Sequence, residues 1–330
     1  MGMRFGAVAC AAGVAVMSVV LSCGALAQAA FPERPIRLVI PFPPGGVYDT
    51  IGRPLAEKLK VTLGAFVIEN MGGAGGARGA AAAARAQPDG HTLLLAGTGV
   101  MVIIPTAARR PLYDPVQDFE PISGLAVVGF SFVTHPGVPA RTLKELVAYA
   151  RAEPGKLSFG TPGAGTLNHL TGEMFKAMAG TPDIAHVPYA GGGPALNELI
   201  GGHIPLAVVN VTGQVLELHR TGKLRMLAMT SPARLAQLPE VPTAIEAGYP
   251  DMVSQIFGGL FAPKGTPKAI VEKLAQAVST ALADPELQKF YVGAGFEPER
   301  EASPEKMRAF LQGELTRWKP VIEASGYKLD

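Results

Sequence analysis

Ile36-Arg-Leu-Val-Ile40-Pro-Phe-Pro-Pro-Gly45-Gly-Val-Tyr-Asp-Thr50 decides the fold, because a short apolar run enters this stretch and an amphipathic run, Ile51 to Leu63, leaves it. The first run reads as a strand and the second as a helix. Gly45 and Gly46 between them carry no Cβ, so the backbone can turn sharply and a guest can reach the amides. A side chain at Gly46 is expected to block that approach and to strain any positive φ. The helix leaves its first N–H groups without intrahelical partners, and the positive end of its dipole favours an anion by about 0.3–1 kcal/mol at an exposed site. An anion cradle and an ordinary strand-to-helix turn both fit the stretch taken alone.

The same plan recurs downstream. Ala65 to Glu69 reads as a second strand, followed by the glycine-rich run Asn70 to Gly79 and an alanine-rich helix to Ala86. His91 to Ala96 is a third strand, again ending in glycine and small residues (Gly97, Thr98, Gly99). Strands alternating with helices argue an α/β fold with a parallel sheet, whose ligands sit beyond the carboxyl ends of its strands. Lys156 to Gly160 then leads into Thr161-Pro-Gly-Ala-Gly-Thr166 and a helix from Leu170 to Ala179. Asp183 to Val187 leads into Pro188-Tyr-Ala-Gly-Gly-Gly-Pro194 and a helix from Ala195 to Ile200, and the strands Pro205 to Asn210 and Leu224 to Met229 complete a second small sheet. Two extended segments, Phe119 to His135 and Ser254 to Ala262, are expected to cross between two lobes and to act as hinges that ligand closes; the first far exceeds the usual strand of about 5–6 residues. Pro267, Pro285 and Pro304 open the last helices, the final one ending near Ala324.

Catalysis needs titratable groups in the cleft, and the glycine-rich loops supply one acid, Asp49. The six histidines contain no pair spaced to hold a metal, no Gly-x-Ser-x-Gly elbow is present, and no Gly-Lys-Ser/Thr phosphate loop is present, so neither enzyme, cofactor nor metal is expected. The enzymatic competitor is Gly73-x-Gly75-x-x-x-Gly79, a dinucleotide-type loop between strand and helix; the next strand ends in Gly97 without the acid that would hold a ribose. His169 opens a helix in a pocket loop, where bracing the loop and touching the ligand are both open to it. Apart from Arg78 the loops hold no cation, so an anion must be met by neutral donors: the amides of Gly45, Gly46, Gly75 and Gly76, the hydroxyls of Thr161 and Thr166, and Asn70.

Lys+Arg 29 against Asp+Glu 27 leaves a net charge of +2, so no basic field marks a nucleic-acid partner. The chain opens with Arg4, an apolar run from Ala7 to Leu26 and small residues at Ala25, Ala27 and Ala29, which reads as a secretory signal peptide over residues 1–29 with cleavage between Gln28 and Phe31. A retained membrane anchor and lipidation at Cys23 are the alternatives. Cys10 and Cys23 both fall inside the signal, so the exported chain is expected to carry no thiol and to reside in the periplasm. The remaining length is typical of two lobes.

The stretches 39–50, 69–76 (Glu-Asn-Met-Gly-Gly-Ala-Gly-Gly), 87–94 (Gln-Pro-Asp-Gly-His-Thr-Leu-Leu), 113–119, 186–191 (His-Val-Pro-Tyr-Ala-Gly) and 238–243 (Leu-Pro-Glu-Val-Pro-Thr), in that order, resemble the Bug receptors, the TctC-type substrate-binding proteins of tripartite tricarboxylate transporters. The resemblance implies two Rossmann-like lobes joined by two crossing strands, a periplasmic binding protein of type II, with lobe 1 at 30–128 plus 254–330 and lobe 2 at 129–253. It implies a monomeric receptor for a small carboxylate such as a di- or tricarboxylate, an amino acid or an aromatic acid. Membrane transporter subunits would be its partner, or a sensor kinase if it serves a two-component system. The ligand-contacting set it implies is Phe42, Pro44, Gly45, Gly46 and Asp49 on the first loop, Asn70, Gly75 and Gly76 on the second, and Thr161, Gly165, Thr166 and His169 on the third, with Tyr189 and Asn210. The chain departs from the family pattern at Pro44 (usually alanine), Pro205 (usually aspartate), Val209 (often aspartate) and Phe257 (commonly tryptophan), which makes the far side of the pocket less acidic.

Overall fold

The computed structural model describes residues 31–329, and the signal-peptide and Cys23 readings lie outside them. All the elements belong to the compact unit Arg34–Asp330. In chain order they are β1 (Ile36–Ile40), α1 (Val47–Leu63), β2 (Phe66–Asn70), α2 (Ala77–Ala84), β3 (Thr92–Gly97), α3 (Ile104–Ala107), β4 (Phe119–Thr134), α4 (Leu143–Ala152), β5 (Ser158–Thr161) and α5 (Leu167–Ala179). Then come β6 (Ala185–Pro188), α6 (Gly192–Ile200), β7 (Leu206–Asn210), α7 (Gly213–Arg220), β8 (Arg225–Met229), β9 (Gln255–Pro263), α8 (Lys268–Leu282), α9 (Pro285–Gly293), β10 (Glu297–Pro298) and α10 (Pro304–Ala324). A π-helical turn, Gly99–Ile103, precedes α3.

The strands run in the order β2-β1-β3-β9-β4-β7-β5-β6, with β8 and β10 also paired to β4. The sheet is mixed, a correction to the purely parallel expectation: β2-β1-β3 and β7-β5-β6 are parallel sets, and the long strands β9 and β4 lie antiparallel between them. The two expected sheets share one strand: β4 pairs with β9 as far as Gly129, with β7 from Phe130 and with β8 from Ser131, so it belongs to both halves. At the change of partner the Thr230 hydroxyl accepts the Phe130 N–H at 2.9 Å and donates to the Ser254 carbonyl, which ties both long segments together at one point.

Burial follows the sequence pattern. β3 is buried along its whole length, as its unbroken apolar run requires of a strand covered on both faces. On α1 the side chains of Ile51, Leu55, Leu59 and Leu63, one per turn, are all buried, each contributing about 1.5–3 kcal/mol relative to exposure. The consequence for function is directional: β1, β3, β5, β6 and β7 all end in loops that border one cavity.

Candidate ligand-binding site

The first wall of the cavity is the turn from β1 into α1. Gly45 has φ +83°, a left-handed conformation that favours glycine, and its N–H donates to Asp49 Oδ2 at 2.9 Å. The same oxygen accepts from Arg53 Nε at 2.7 Å, and Asp49 Oδ1 accepts from Asn70 Nδ2 at 3.1 Å. Asn70 Nδ2 also donates to the Phe42 carbonyl at 2.9 Å, while its own oxygen accepts from Arg53. One buried carboxylate thus ties the turn, the helix and the end of β2 together. Burial pushes the Asp49 carboxyl up, but the hydrogen bonds from Arg53, Gly45 and Asn70 and the charge of Arg53 outweigh it and hold the group below the ordinary carboxylate range. The Phe42 and Tyr48 rings stack at 5.0 Å beside the loop.

This geometry revises the donor set. The Gly45 amide and the Asn70 side chain are occupied inside the protein, and the Gly76 N–H is bonded to the Gly73 carbonyl at 3.0 Å. Gly46 is an extended N-cap with φ −80°, not a positive-φ residue, and a Cβ there would meet nothing nearer than 3.7 Å; the conformational demand falls on Gly45 instead. Because the first helical bond runs from Thr50 N–H to Gly46 O, the N–H groups of Gly46, Val47 and Tyr48 have no intrahelical acceptor, and no side chain caps them. Gly46, Val47 and Tyr48 all border the cavity.

The second wall is built without charge. Thr166 caps α5, its hydroxyl accepting from His169 N–H at 3.3 Å and donating to the Gly163 carbonyl at 2.7 Å. His169 Nδ1 accepts the Gly165 N–H at 3.2 Å, so this histidine braces the loop. Its ring stacks on His186 at 3.9 Å, and His186 Nε2 bonds the fully buried Thr161 hydroxyl at 2.7 Å. Burial, then the neighbouring His169 and Lys176, lower the His186 pKa to about 4, so the stack is neutral at neutral pH. The N-terminal residues of α6 (Gly192, Gly193) and the Thr212 cap of α7 also border the cavity, and Asn210 at the end of β7 accepts from Asn168 Nδ2 at 3.0 Å.

Ile103 from the π-helical turn, Ile104 from the start of α3, Ile256 from β9, and Tyr327 and Leu329 from the segment after α10 also line the space. Leu329 is held there by its N–H to Ala107 O at 3.0 Å and by Arg109 N–H to its own carbonyl at 3.1 Å. Tyr327 packs so closely on Gly165 that a Cβ at Gly165 would lie 1.9 Å from its Cζ. The cavity volume is about 1030 Å³, and among the described residues none that borders it carries a formal charge.

Of the residues expected from sequence, Phe42, Pro44, Gly45, Gly46, Gly75, Gly165, Thr166 and Asn210 border the cavity. Asp49, Asn70, Gly76, Thr161, His169 and Tyr189 lie behind it: the first two in the charged brace, Thr161 and His169 in the neutral one, Gly76 buried at the start of α2, and Tyr189 beneath Gly160. Sequence reasoning missed Tyr48, Ile103, Ile104, Gln214, Ile256 and Tyr327, all on the border. Gly99 after β3 was the one local signal for the Ile103 wall. Among the described residues no cluster of three His, Cys, Asp or Glu could hold a metal, and no helix is long and apolar enough to cross a membrane.

Comparison with known proteins places this geometry. The TctC family model, described as the tripartite tricarboxylate transporter family receptor, matches residues 51–327. Protein BugT of Bordetella pertussis is 35% identical over 301 residues, covering 91% of each chain. The solved structure of the periplasmic binding protein BugD is 36% identical and superposes with a TM-score of 0.76, covering 90% of this chain and 99% of that one. A Rhodopseudomonas palustris protein solved with adipate is 32% identical with a TM-score of 0.79, covering 90% and 99%.

Proposed function

Since the chain belongs to the tripartite tricarboxylate transporter receptor family, the TctC-type or Bug receptors, we propose that it captures a small carboxylate in the cavity and delivers it to the membrane subunits of such a transporter. The observation that carries this reading is the start of α1, where the N–H groups of Gly46, Val47 and Tyr48 have no intrahelical acceptor and the three residues border a cavity with no acid among its described lining residues. A carboxylate there accepts hydrogen bonds worth about 1.5–3 kcal/mol each, so three or four supply about 4.5–12 kcal/mol, and burial of the ligand's apolar part against the cavity wall adds to this in offsetting the cost of association. Phe42, Gly75, Gly165, Thr166 and Asn210 contact the bound molecule, and Asp49, Asn70 and His169 position the loops that do. The protein works in the periplasm as a monomer and carries out no chemistry on its guest. Adipate in a similar protein and the periplasmic description of BugD both support this.

The lobes of this reading are 30–128 with 254–330, and 129–253. The exchange of β4's partners between Gly129 and Phe130 supports that boundary, as does the Ser254 N–H bond to Thr230 O. Ligand favours closure because only the closed form brings the α1 and α5 termini onto one molecule. Mass spectrometry of the small molecules released by unfolding the purified protein tests the proposal, followed by titration calorimetry with the compound found. A carboxylic acid recovered unchanged is expected; a neutral ligand, or turnover of the acid, overturns it.

A further inference from the structure

An apolar patch is assembled on the cavity wall from distant parts of the chain. Phe42 follows β1, Ile104 opens α3, Ile256 lies on β9, and Tyr327 and Leu329 follow α10; all five border the space. Each packs against the main hydrophobic core and is itself only half-buried, so core and cavity share these side chains. The patch is also fixed in place. Ile256 sits in the ladder between β9 and β4, opposite Val128. Leu329 is bonded through its N–H to Ala107 O and through its carbonyl to Arg109 N–H. A Cβ at Gly75 would lie 2.9 Å from Ile104 Cδ1, so glycine there gives the isoleucine its room. Tyr327 packs on Gly165, whose N–H is held by His169 Nδ1.

An apolar body laid on such a patch removes hydrocarbon surface from water, whereas a hydroxylated body must give up hydrogen bonds to water to reach the same place. The cavity volume of about 1030 Å³ stands at the top of the range of about 300–1,000 Å³ usual for sites that hold drug-sized molecules, which leaves room for a body well beyond a carboxyl group. We infer that the cavity takes organic acids with a bulky apolar body, an alkyl chain of medium length or an aromatic ring, and grades them by the apolar area they lay on this patch. The inference rests on the proposed carboxylate-binding function and narrows its ligand class. It follows from side chains that are present: whatever charges meet the rest of the ligand, the patch rewards apolar area. Each methylene fully buried there raises affinity about fourfold, the equivalent of about 0.8 kcal/mol.

The test is titration calorimetry of the purified protein with two pairs of acids: hexanoate against gluconate, which has the same number of carbons and the same single carboxylate but a hydroxylated body, and 3-phenylpropanoate against propanoate. The neutral 3-phenylpropan-1-ol is the control. The first acid of each pair is expected to bind more than about tenfold tighter than the second. A ratio below about threefold, or tighter binding of gluconate, overturns the inference and leaves the carboxylate reading intact. If the alcohol binds as tightly as 3-phenylpropanoate, or if no acid binds, the carboxylate reading itself fails and the inference falls with it. The variant Tyr327→Ala removes a half-buried ring from the patch. With folding checked by thermal melts, it should cut the ratio of 3-phenylpropanoate to propanoate affinity by more than about threefold. A variant that weakens both acids alike shows that Tyr327 only braces the Gly165 loop, which overturns its place in the patch.

Discussion

The two walls of the cavity present the same thing, backbone amides at helix starts, and hold it in place by opposite means. Behind α1 a buried carboxylate gathers Gly45, Arg53 and Asn70. Behind α5 two stacked imidazoles and a buried hydroxyl do the bracing with no net charge. The difference teaches that a loop's stiffness can be supplied by either chemistry, but each fails under a different stress. A charged brace is vulnerable to loss of its one central acceptor, and a neutral one to protonation.

The largest effect is expected from Asp49→Ala. It removes the acceptor of the Gly45 N–H, of Arg53 Nε and of one Asn70 N–H, while Asn70 keeps its bond to the Phe42 carbonyl; at about 0.5–1.5 kcal/mol for each hydrogen bond lost, stability should fall by about 2 kcal/mol and Tm by several degrees. Affinity for the natural ligand should drop by more than about thirtyfold as the turn loosens, a loss near 2 kcal/mol. Calorimetric melts and titrations measure both; an unaltered Tm would mean that the carboxylate does not hold the wall.

Next comes a pair on the same turn. Gly45→Val forces a branched side chain into φ +83°, at a cost of about 1–2 kcal/mol or more, and should weaken binding about tenfold. Gly46→Ala should change it by less than about threefold, because its backbone is extended and a Cβ there has room. The reverse order would return the organising role to Gly46.

Acid sharpens the comparison. His186 is held at about 4 in the fold against an ordinary 6.5, so the stability its neutral form contributes is complete above 6.5 and is lost as pH falls from about 6.5 to about 4. Protonation there meets His169 and Lys176, both of which face Glu173. Asp49, depressed below its ordinary 3.8, keeps its charge through that window, and its contribution is lost only below it. Thermal melts between pH 7.5 and 5 should therefore show a fall in Tm that His186→Gln reduces and Asp49→Asn does not. The smallest effect is expected of Arg78→Ala, less than about threefold on affinity: its side chain packs by Gly73 and does not border the cavity. A larger loss would make a cation the anchor.

Much of the molecule is legible in its chain. The alternation of apolar runs and glycine turns locates the strands and the cavity edge they empty into, since both follow from local patterning. Apolar spacing places two helix starts late, Ile51 for Val47 and Leu170 for Leu167, because the signals there are an acid reaching back from the first turn and a threonine cap. Helix α7 escapes apolar spacing for the same reason: its beginning is Thr212 followed by glycine. Tyr327 is out of reach altogether, since its place beside Gly165 depends on where the chain runs after α10. Asn70 and Thr161 look like ligand donors in the sequence, whereas packing turns them inward to hold the loops.

A cavity wall without formal charge has a consequence for the medium in which the protein works. Mobile ions screen exposed charges over about 8 Å at physiological ionic strength, but they have less hold on fixed backbone dipoles at the wall of a cavity. With a net charge of only +2 the surface adds little steering, so a solute arrives at the ordinary rate of about 10⁵–10⁷ M⁻¹s⁻¹. Capture is then expected to depend little on ionic strength, so that titrations in dilute and in concentrated salt return similar affinities.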